Sequence, residues 1–262
     1  MNPILTAVCV IGAIGLLGGA LLVIGSRVFA VTKDERAEVV DLALPGATCG
    51  ACGYAGCDAV AAAIAAGDAP VNACPVCSAD AIAKIGGVMG VEAEAAERKT
   101  AQVKCSGDCE HTSAKCNYVG IEDCRAAALA GLNTGSCTFG CLGYGSCVKA
   151  CTYDAIHVVN GVAKVDTSKC VGCGMCAKAC PKGLIEVVRA DRTFAVQCSN
   201  KDRGPAVKKV CSAGCLGCGA CVKQCEHDAI HVEGNLAYID YDKCVGCGKC
   251  AEKCPAKNIV RQ

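Results

Sequence analysis

The chain has 262 residues, room for two or three small domains. Twenty-eight residues are cysteine, aromatics make up 3% and tryptophan is absent, so an ordinary aromatic core is thin and bound groups are expected to take over part of its role. The net charge of +1 hides an asymmetry: residues 1–136 hold 9 basic and 14 acidic side chains, net −5, against 17 and 11, net +6, in residues 137–262; the positive half would attract an acidic partner or is an ordinary solvated surface, and no nucleic-acid partner is expected.

In chain order, the first predicted element covers residues 4–26, which carry no charge. At ~1.5 Å per residue these 23 positions reach roughly 35 Å as a helix, enough to cross a bilayer with some tilt. No basic segment precedes them and no small-residue cleavage site follows, which favours a retained transmembrane anchor over residues 1–28. Arg27, Lys33 and Arg36 come next, so the positive-inside rule puts residues 27–262 on the cytoplasmic side of the cell membrane as a single-pass protein. A reducing cytoplasm also suits thiolate ligands better than the disulfides of a secreted scaffold. Gly15 and Gly19, with Gly12 and Gly18 beside them, offer a small-residue face to another membrane helix; a lone anchor with incidental glycines is the plain alternative. Cys9 reads as a small apolar residue of this helix.

Residues 29–90 form the next unit. Cys49, Cys52, Cys57 and Cys74-Pro75 follow a C-x2-C-x4-C-x16-C spacing, with glycines that let the backbone wrap closely around a bound group. The alanine-rich stretch 57–66 predicts a helix with Gly67 as its cap, carrying the chain back so that Cys74 completes four thiolates. A four-cysteine zinc site is the alternative, although the spacing is unlike a ribbon or finger. Cys77 reads as a spare thiol.

A cysteine-containing middle segment, 91–136, leads to two copies of one unit, 137–190 and 211–262, joined by a linker at 191–210. The copies align without a gap at an offset of 74: CLGYGSCVKACTYDAIHVV against CLGCGACVKQCEHDAIHVE. Asn160-Gly161 and Gly234-Asn235 predict tight turns between paired short strands. The runs Cys170-Cys173-Cys176-Cys180-Pro181 and Cys244-Cys247-Cys250-Cys254-Pro255 have the bacterial ferredoxin spacing, in which the fourth cysteine serves the other cluster. In the second copy Cys215, Cys218 and Cys221 therefore join Cys254, and Cys244, Cys247 and Cys250 join Cys225. The first copy has Tyr144 where the second has Cys218. Cys137 is expected to replace the missing ligand, giving Cys137, Cys141, Cys147 and Cys180, while Cys151, Cys170, Cys173 and Cys176 make the other set. Zinc or disulfides are the weaker alternative for these sixteen residues.

Cys105, Cys109, Cys116, Cys124, Cys198 and Cys211 are left over. A further set of Cys105, Cys124, Cys198 and Cys211 is expected, with a local set of Cys105, Cys109, Cys116 and Cys124, or free thiols, as the competing readings. The cofactors are then at least five [4Fe–4S] clusters, and six with this set. No catalytic residue is expected: the four histidines lack metal spacing, and no phosphate-binding glycine loop is present, so the chain should bind neither NAD nor flavin. Lys149, Lys178, Lys182, Lys223, Lys249, Lys253 and Lys257 lie in or near the cysteine runs and would suit an acidic redox partner.

The order of parts, together with LPGATCGACGYAGC and GCLGYGSCVKAC, resembles the B subunit of the Rnf complex over essentially the whole chain. That resemblance implies a membrane-bound, ion-translocating ferredoxin:NAD⁺ oxidoreductase, a translocase. Within it, this subunit would accept electrons from reduced ferredoxin and pass them to membrane and flavin-bearing partner subunits, coupled to Na⁺ or H⁺ export. It also implies that Cys49, Cys52, Cys57 and Cys74 hold the family's first cluster and the sixteen repeat cysteines its ferredoxin clusters. The fold class expected is α+β: an N-terminal transmembrane helix, a small helical 4Fe-4S domain and two tandem dicluster ferredoxin-like domains. A polyferredoxin subunit of a membrane hydrogenase or quinone-linked reductase, and an anchored zinc-binding structural protein, are the alternatives.

Overall fold

The structure is a computed structural model that describes residues 3–28, 34–92, 97–131 and 134–262. Helix α1 (Pro3–Val28) comes first. Its apolar side chains Ile11, Ile14, Leu16, Leu17, Leu21 and Leu22 all stand exposed. Among the described residues no helix is long and apolar enough to cross a membrane. The expected span 4–26 includes positions 5–10, whose side chains lie outside the described set, as do those of Arg27 and Lys33.

Three helices build the next unit: α2 (Glu35–Ala43), α3 (Cys57–Ala66) and α4 (Ala79–Met89). Each has a local start or stop signal. The Asp34 carboxylate accepts from the Arg36 amide to cap α2, and the Ser78 hydroxyl accepts from the Ala81 amide to cap α4. Gly67 ends α3 in the left-handed conformation at φ 84°. Val40, Val60, Ile64 and Ile85 pack together, with Cys74 in the same cluster. Burying each such aliphatic side chain contributes about 1.5–3 kcal/mol.

The first ferredoxin-like unit runs through β1 (Lys99–Val103), α5 (Cys124–Leu129), α6 (Ser146–Lys149), β2 (Ile156–Val159), β3 (Val162–Val165), α7 (Met175–Ala179) and β4 (Ile185–Arg189). The second runs through β5 (Phe194–Val196), α8 (Gly204–Val210), α9 (Ala220–Gln224), β6 (Ile230–Glu233), β7 (Leu236–Ile239), α10 (Lys249–Glu252) and β8 (Ile259–Arg261). Each is two antiparallel ribbons. The hairpins β2–β3 and β6–β7 turn at Asn160-Gly161 and Gly234-Asn235, all four residues at positive φ as a tight hairpin turn requires. The closing ribbons pair β1 with β4 and β5 with β8.

β1 lies in the segment drawn from the sequence as a middle region, and β5 lies in the stretch drawn as a linker. The strands that pair with β4 and β8 thus lie outside the expected bounds 137–190 and 211–262. The cause is that a two-stranded ribbon must bury the last strand's inner face: Ala101 and Val103 cover Ile185, and Val196 covers Ile259.

Candidate metal centres

In the second unit, the β6–β7 hairpin separates two hollows. Cys225, Cys244, Cys247 and Cys250 line one, together with Ile230, Ile239 and Phe194. Cys215, Cys218, Cys221 and Cys254 line the other, with Val232, Ala237 and Ile259. Both are the sets expected from the crossed ferredoxin spacing. Backbone amides point at the sulfurs: Ala229 N–H donates to Cys225 Sγ at 3.3 Å and Ala237 N–H to Cys215 Sγ at 3.4 Å. Gly217, at φ 61°, allows the wrap, since a Cβ there would stand 2.7 Å from the Asn235 carbonyl oxygen.

In the first unit, Cys151, Cys170, Cys173 and Cys176 line a third hollow with Ile156, Val165 and Tyr153. The Ala101 amide donates to Cys170 Sγ at 3.3 Å. The remaining set differs from the expectation. The chain between β1 and residue 137 folds back, and the N-terminus of α5 lands beside α6. There the Cys124 amide donates to the buried Ser146 hydroxyl at 2.7 Å, and that hydroxyl donates to Asp123 Oδ2 at 2.7 Å. Arg125 also donates to the Lys178 carbonyl at 3.0 Å, tying α5 to α7. Cys147 is pushed up to about 12 by burial first, then by charge on Cys141, Cys124 and Cys180. Cys141 is raised by burial first, then after two opposing backbone hydrogen bonds by Cys124 and Cys180. So Cys124 comes close to Cys141, Cys147 and Cys180.

Cys137 goes elsewhere. It lines a fourth hollow with Cys105, Cys198 and Cys211, at the seam between the two units. The two expected sets thus exchange one member each: Cys124 sits with the first unit and Cys137 with the leftover thiols. The expectation took Cys137 because it lies nearest in sequence to Cys141, whereas the inserted loop brings Cys124 nearest in space. Cys109 and Cys116, members of the local alternative, do not line this fourth hollow. Sequence reasoning missed that Val103-Lys104-Cys105-Ser106 and Val196-Gln197-Cys198-Ser199 are one repeated motif after the first strand of each unit.

The first module brings its thiols together as well. Cys74 is buried, and its thiol is raised by burial first, with charge on Cys52 and Cys49 adding to it against two backbone hydrogen bonds. Cys77 is half-buried beside Cys74 and Cys57. Tyr153 of the first ferredoxin-like unit reaches this module. Its phenol is pushed up to about 12 by burial, then by charge on Cys49, Cys173 and Cys74.

The donors of every set are thiols in largely apolar walls, and burial is the leading cause of each raised thiol. Such a site resists a bare thiolate and fits a bound group whose positive charge offsets the sulfurs. Among the described residues no three His, Cys, Asp or Glu side chains converge on a point that would hold a single metal ion. Thiols with backbone amides aimed at them suit an iron–sulfur cluster. His157 and His231 take equivalent surface places beside Asp154 and Asp228, away from the sulfurs. Among the lysines, Lys249 pairs with Glu226 at 2.6 Å, and Lys149 and Lys182 donate to the Glu122 and Thr138 carbonyls. Lys178, Lys223, Lys253 and Lys257 are exposed.

Comparison with known families agrees with this chemistry. Residues 44–76 match a family described as "Putative Fe-S cluster", residues 163–186 a 4Fe-4S binding domain and residues 214–258 a 4Fe-4S dicluster domain. The chain is 46% identical over 244 residues to the B subunit of the Na(+)-translocating ferredoxin:NAD(+) oxidoreductase complex of Acetobacterium woodii, covering 93% of this chain and 73% of that one. It is 39% identical over 259 residues to the B subunit of the ion-translocating oxidoreductase complex of Methanosarcina acetivorans, covering 98% of each. A third relative, the B subunit of the proton-translocating ferredoxin:NAD(+) oxidoreductase complex of Clostridium ljungdahlii, is 40% identical over 92% of this chain and 85% of its own.

Proposed function

Because the chain belongs to the family of B subunits of ion-translocating oxidoreductase complexes, we propose that it is the iron–sulfur electron-transfer subunit of a ferredoxin:NAD⁺ oxidoreductase. It works with other subunits of that complex and does not itself turn over NAD⁺. When bound, each [4Fe–4S] cluster supplies one-electron redox chemistry at a potential tuned by hydrogen bonds to sulfur, burial and charge. The residues that would hold five of them are Cys49, Cys52, Cys57 and Cys74; Cys124, Cys141, Cys147 and Cys180; Cys151, Cys170, Cys173 and Cys176; Cys215, Cys218, Cys221 and Cys254; and Cys225, Cys244, Cys247 and Cys250.

The observation that carries this reading is that the cysteine sets follow one another. The β6–β7 hairpin spans both sets of the second unit. Cys147 lies within electrostatic reach of Cys176, and Tyr153 within reach of both Cys173 and Cys49. Buried aliphatic side chains line these hollows, and the amides named above stabilise charge on sulfur. Reduced ferredoxin, an acidic partner in this reading, would dock on the exposed lysines of the positive C-terminal half. Helix α1 would be the single-pass anchor that keeps the first module at the membrane, next to the membrane and flavin-bearing subunits, with the rest on the cytoplasmic side.

The test is iron, acid-labile sulfide and zinc on anaerobically purified full-length chain. Iron and sulfide in equal amount, about 20 or more per chain, support the reading. Colourless protein with stoichiometric zinc overturns it in favour of an anchored zinc scaffold. Co-purification with hydrogenase subunits would keep the chemistry and change the complex.

A further inference from the structure

We propose that Cys105 and Cys137 of the first unit and Cys198 and Cys211 of the second together hold a sixth [4Fe–4S] cluster, which joins the two ferredoxin-like units electrically. The inference rests on the iron–sulfur reading above and adds a site to it.

Symmetry is the first support. Cys105 follows β1 by the same step that Cys198 follows β5, and Cys137 and Cys211 are equivalents at the offset of 74. Each unit thus brings the same two thiols to the seam. The polar contacts repeat as well. The Cys141 amide donates to Cys105 Sγ at 3.4 Å, and its equivalent, the Cys215 amide, donates to Cys198 Sγ at 3.3 Å. Across the seam, Ser106 Oγ donates to Gln197 Oε1 at 2.7 Å, while the equivalent Ser199 Oγ donates to the Lys104 carbonyl at 2.9 Å.

The site is also built around its sulfurs. Asn200 is 1% exposed, and its side-chain amide donates to Cys137 Sγ at 3.4 Å. Gly107 lies against the sulfurs: a Cβ there would stand 3.3 Å from Cys211 Sγ and 3.7 Å from Cys105 Sγ, a tight approach to the first. Amides aimed at sulfur are the same device seen at Cys170, Cys215 and Cys225, where the ferredoxin spacing is unambiguous.

Position gives the site its role. Cys198 lies within reach of Cys215, and Cys105 within reach of Cys141 and Cys137. A cluster here stands between a set of the second unit and a set of the first. Electrons accepted by the second unit then have a continuous path to the first module.

The test pairs alanine variants in the full-length chain and counts iron. Wild type should hold about 24 irons, and Cys211→Ala about four fewer. Cys137→Ala/Cys211→Ala should lose about four, because both serve one cluster, and Cys124→Ala/Cys211→Ala about eight. The reverse pattern would return Cys137 to the first unit and overturn the proposal, as would a Cys211→Ala protein with undiminished iron. Should the variants fold poorly, wild type decides by alkylation and mass mapping. The four seam thiols should stay unmodified until iron is removed, while Cys109 and Cys116 react at once. Seam thiols that react as fast as Cys109 in iron-replete protein would overturn it. Wild type with zinc in place of iron would instead defeat the underlying reading, before any variant is made.

Discussion

Tyr144 packs against Tyr118 in a tilted ring pair, with centroids 5.2 Å apart and planes at 58°. Tyr118 comes from the inserted loop, and Tyr144 occupies the place that Cys218 has in the second unit. The loop that carries Cys124 therefore also packs on Tyr144, with Cys124 and Leu142 in the same apolar cluster.

That relationship predicts a rescue. Cys124→Ala should lose about four irons, and Cys124→Ala/Tyr144→Cys should regain them, because a thiol at 144 restores the ferredoxin spacing. Iron analysis and the visible absorbance of the anaerobic proteins check both. A double variant that stays short of iron would argue that Cys124 serves a different set.

Asn200→Leu removes a hydrogen bond to Cys137 Sγ without removing a thiol. Hydrogen bonds to sulfur favour the more negative reduced state, so the seam cluster's potential should fall by on the order of 50 mV, with iron content unchanged. Redox titration followed by electron paramagnetic resonance measures it. An unchanged set of potentials contradicts the assignment of that contact.

Gly217→Ala places a methyl group 2.7 Å from the Asn235 carbonyl oxygen, at φ 61°. The expected loss is about 1–3 kcal/mol of stability, seen as a lower midpoint in thermal unfolding under anaerobic conditions.

Iron removal should unfold the ferredoxin-like units. Their cores are shared between aliphatic side chains and cysteine thiols: Ile230, Ile239 and Ile259 pack with Cys215 and Cys221, and Ile156 and Ile185 with Cys147 and Cys176. Chelation should abolish the strand signal in circular dichroism and its amide protection. Retained protection over residues 97–262 after complete iron loss would contradict this.

The helical module and both hairpins were legible in the sequence because their signals are local. An alanine-rich run ending at Gly67 and the turns Asn160-Gly161 and Gly234-Asn235 each fix structure within a few residues. The grouping of the second unit's thiols around two hollows follows the spacing of its two cysteine runs. The exchange of Cys124 and Cys137 was not legible, because it depends on where an inserted loop returns. The equivalence of Cys105 and Cys198 was hidden for the same reason: the insertion moves their offset away from the 74 residues that align the rest. The closing strands β1 and β5 carry no repeat signal at that offset and pair only across the full length of each unit.

Charge-reversing Lys178, Lys223, Lys253 and Lys257 to Glu together should slow reduction by ferredoxin about tenfold at low ionic strength, with the difference shrinking as salt is added. Stopped-flow mixing reads the rate, and an unchanged rate would place docking on another face.

The most direct measurement is an anaerobic titration of the iron-replete full-length chain with reduced ferredoxin, followed by the bleaching of its visible absorbance. The account predicts uptake of up to about one electron per cluster, with ferredoxin reoxidised in step. Iron-replete protein whose absorbance does not bleach while ferredoxin stays reduced would contradict it.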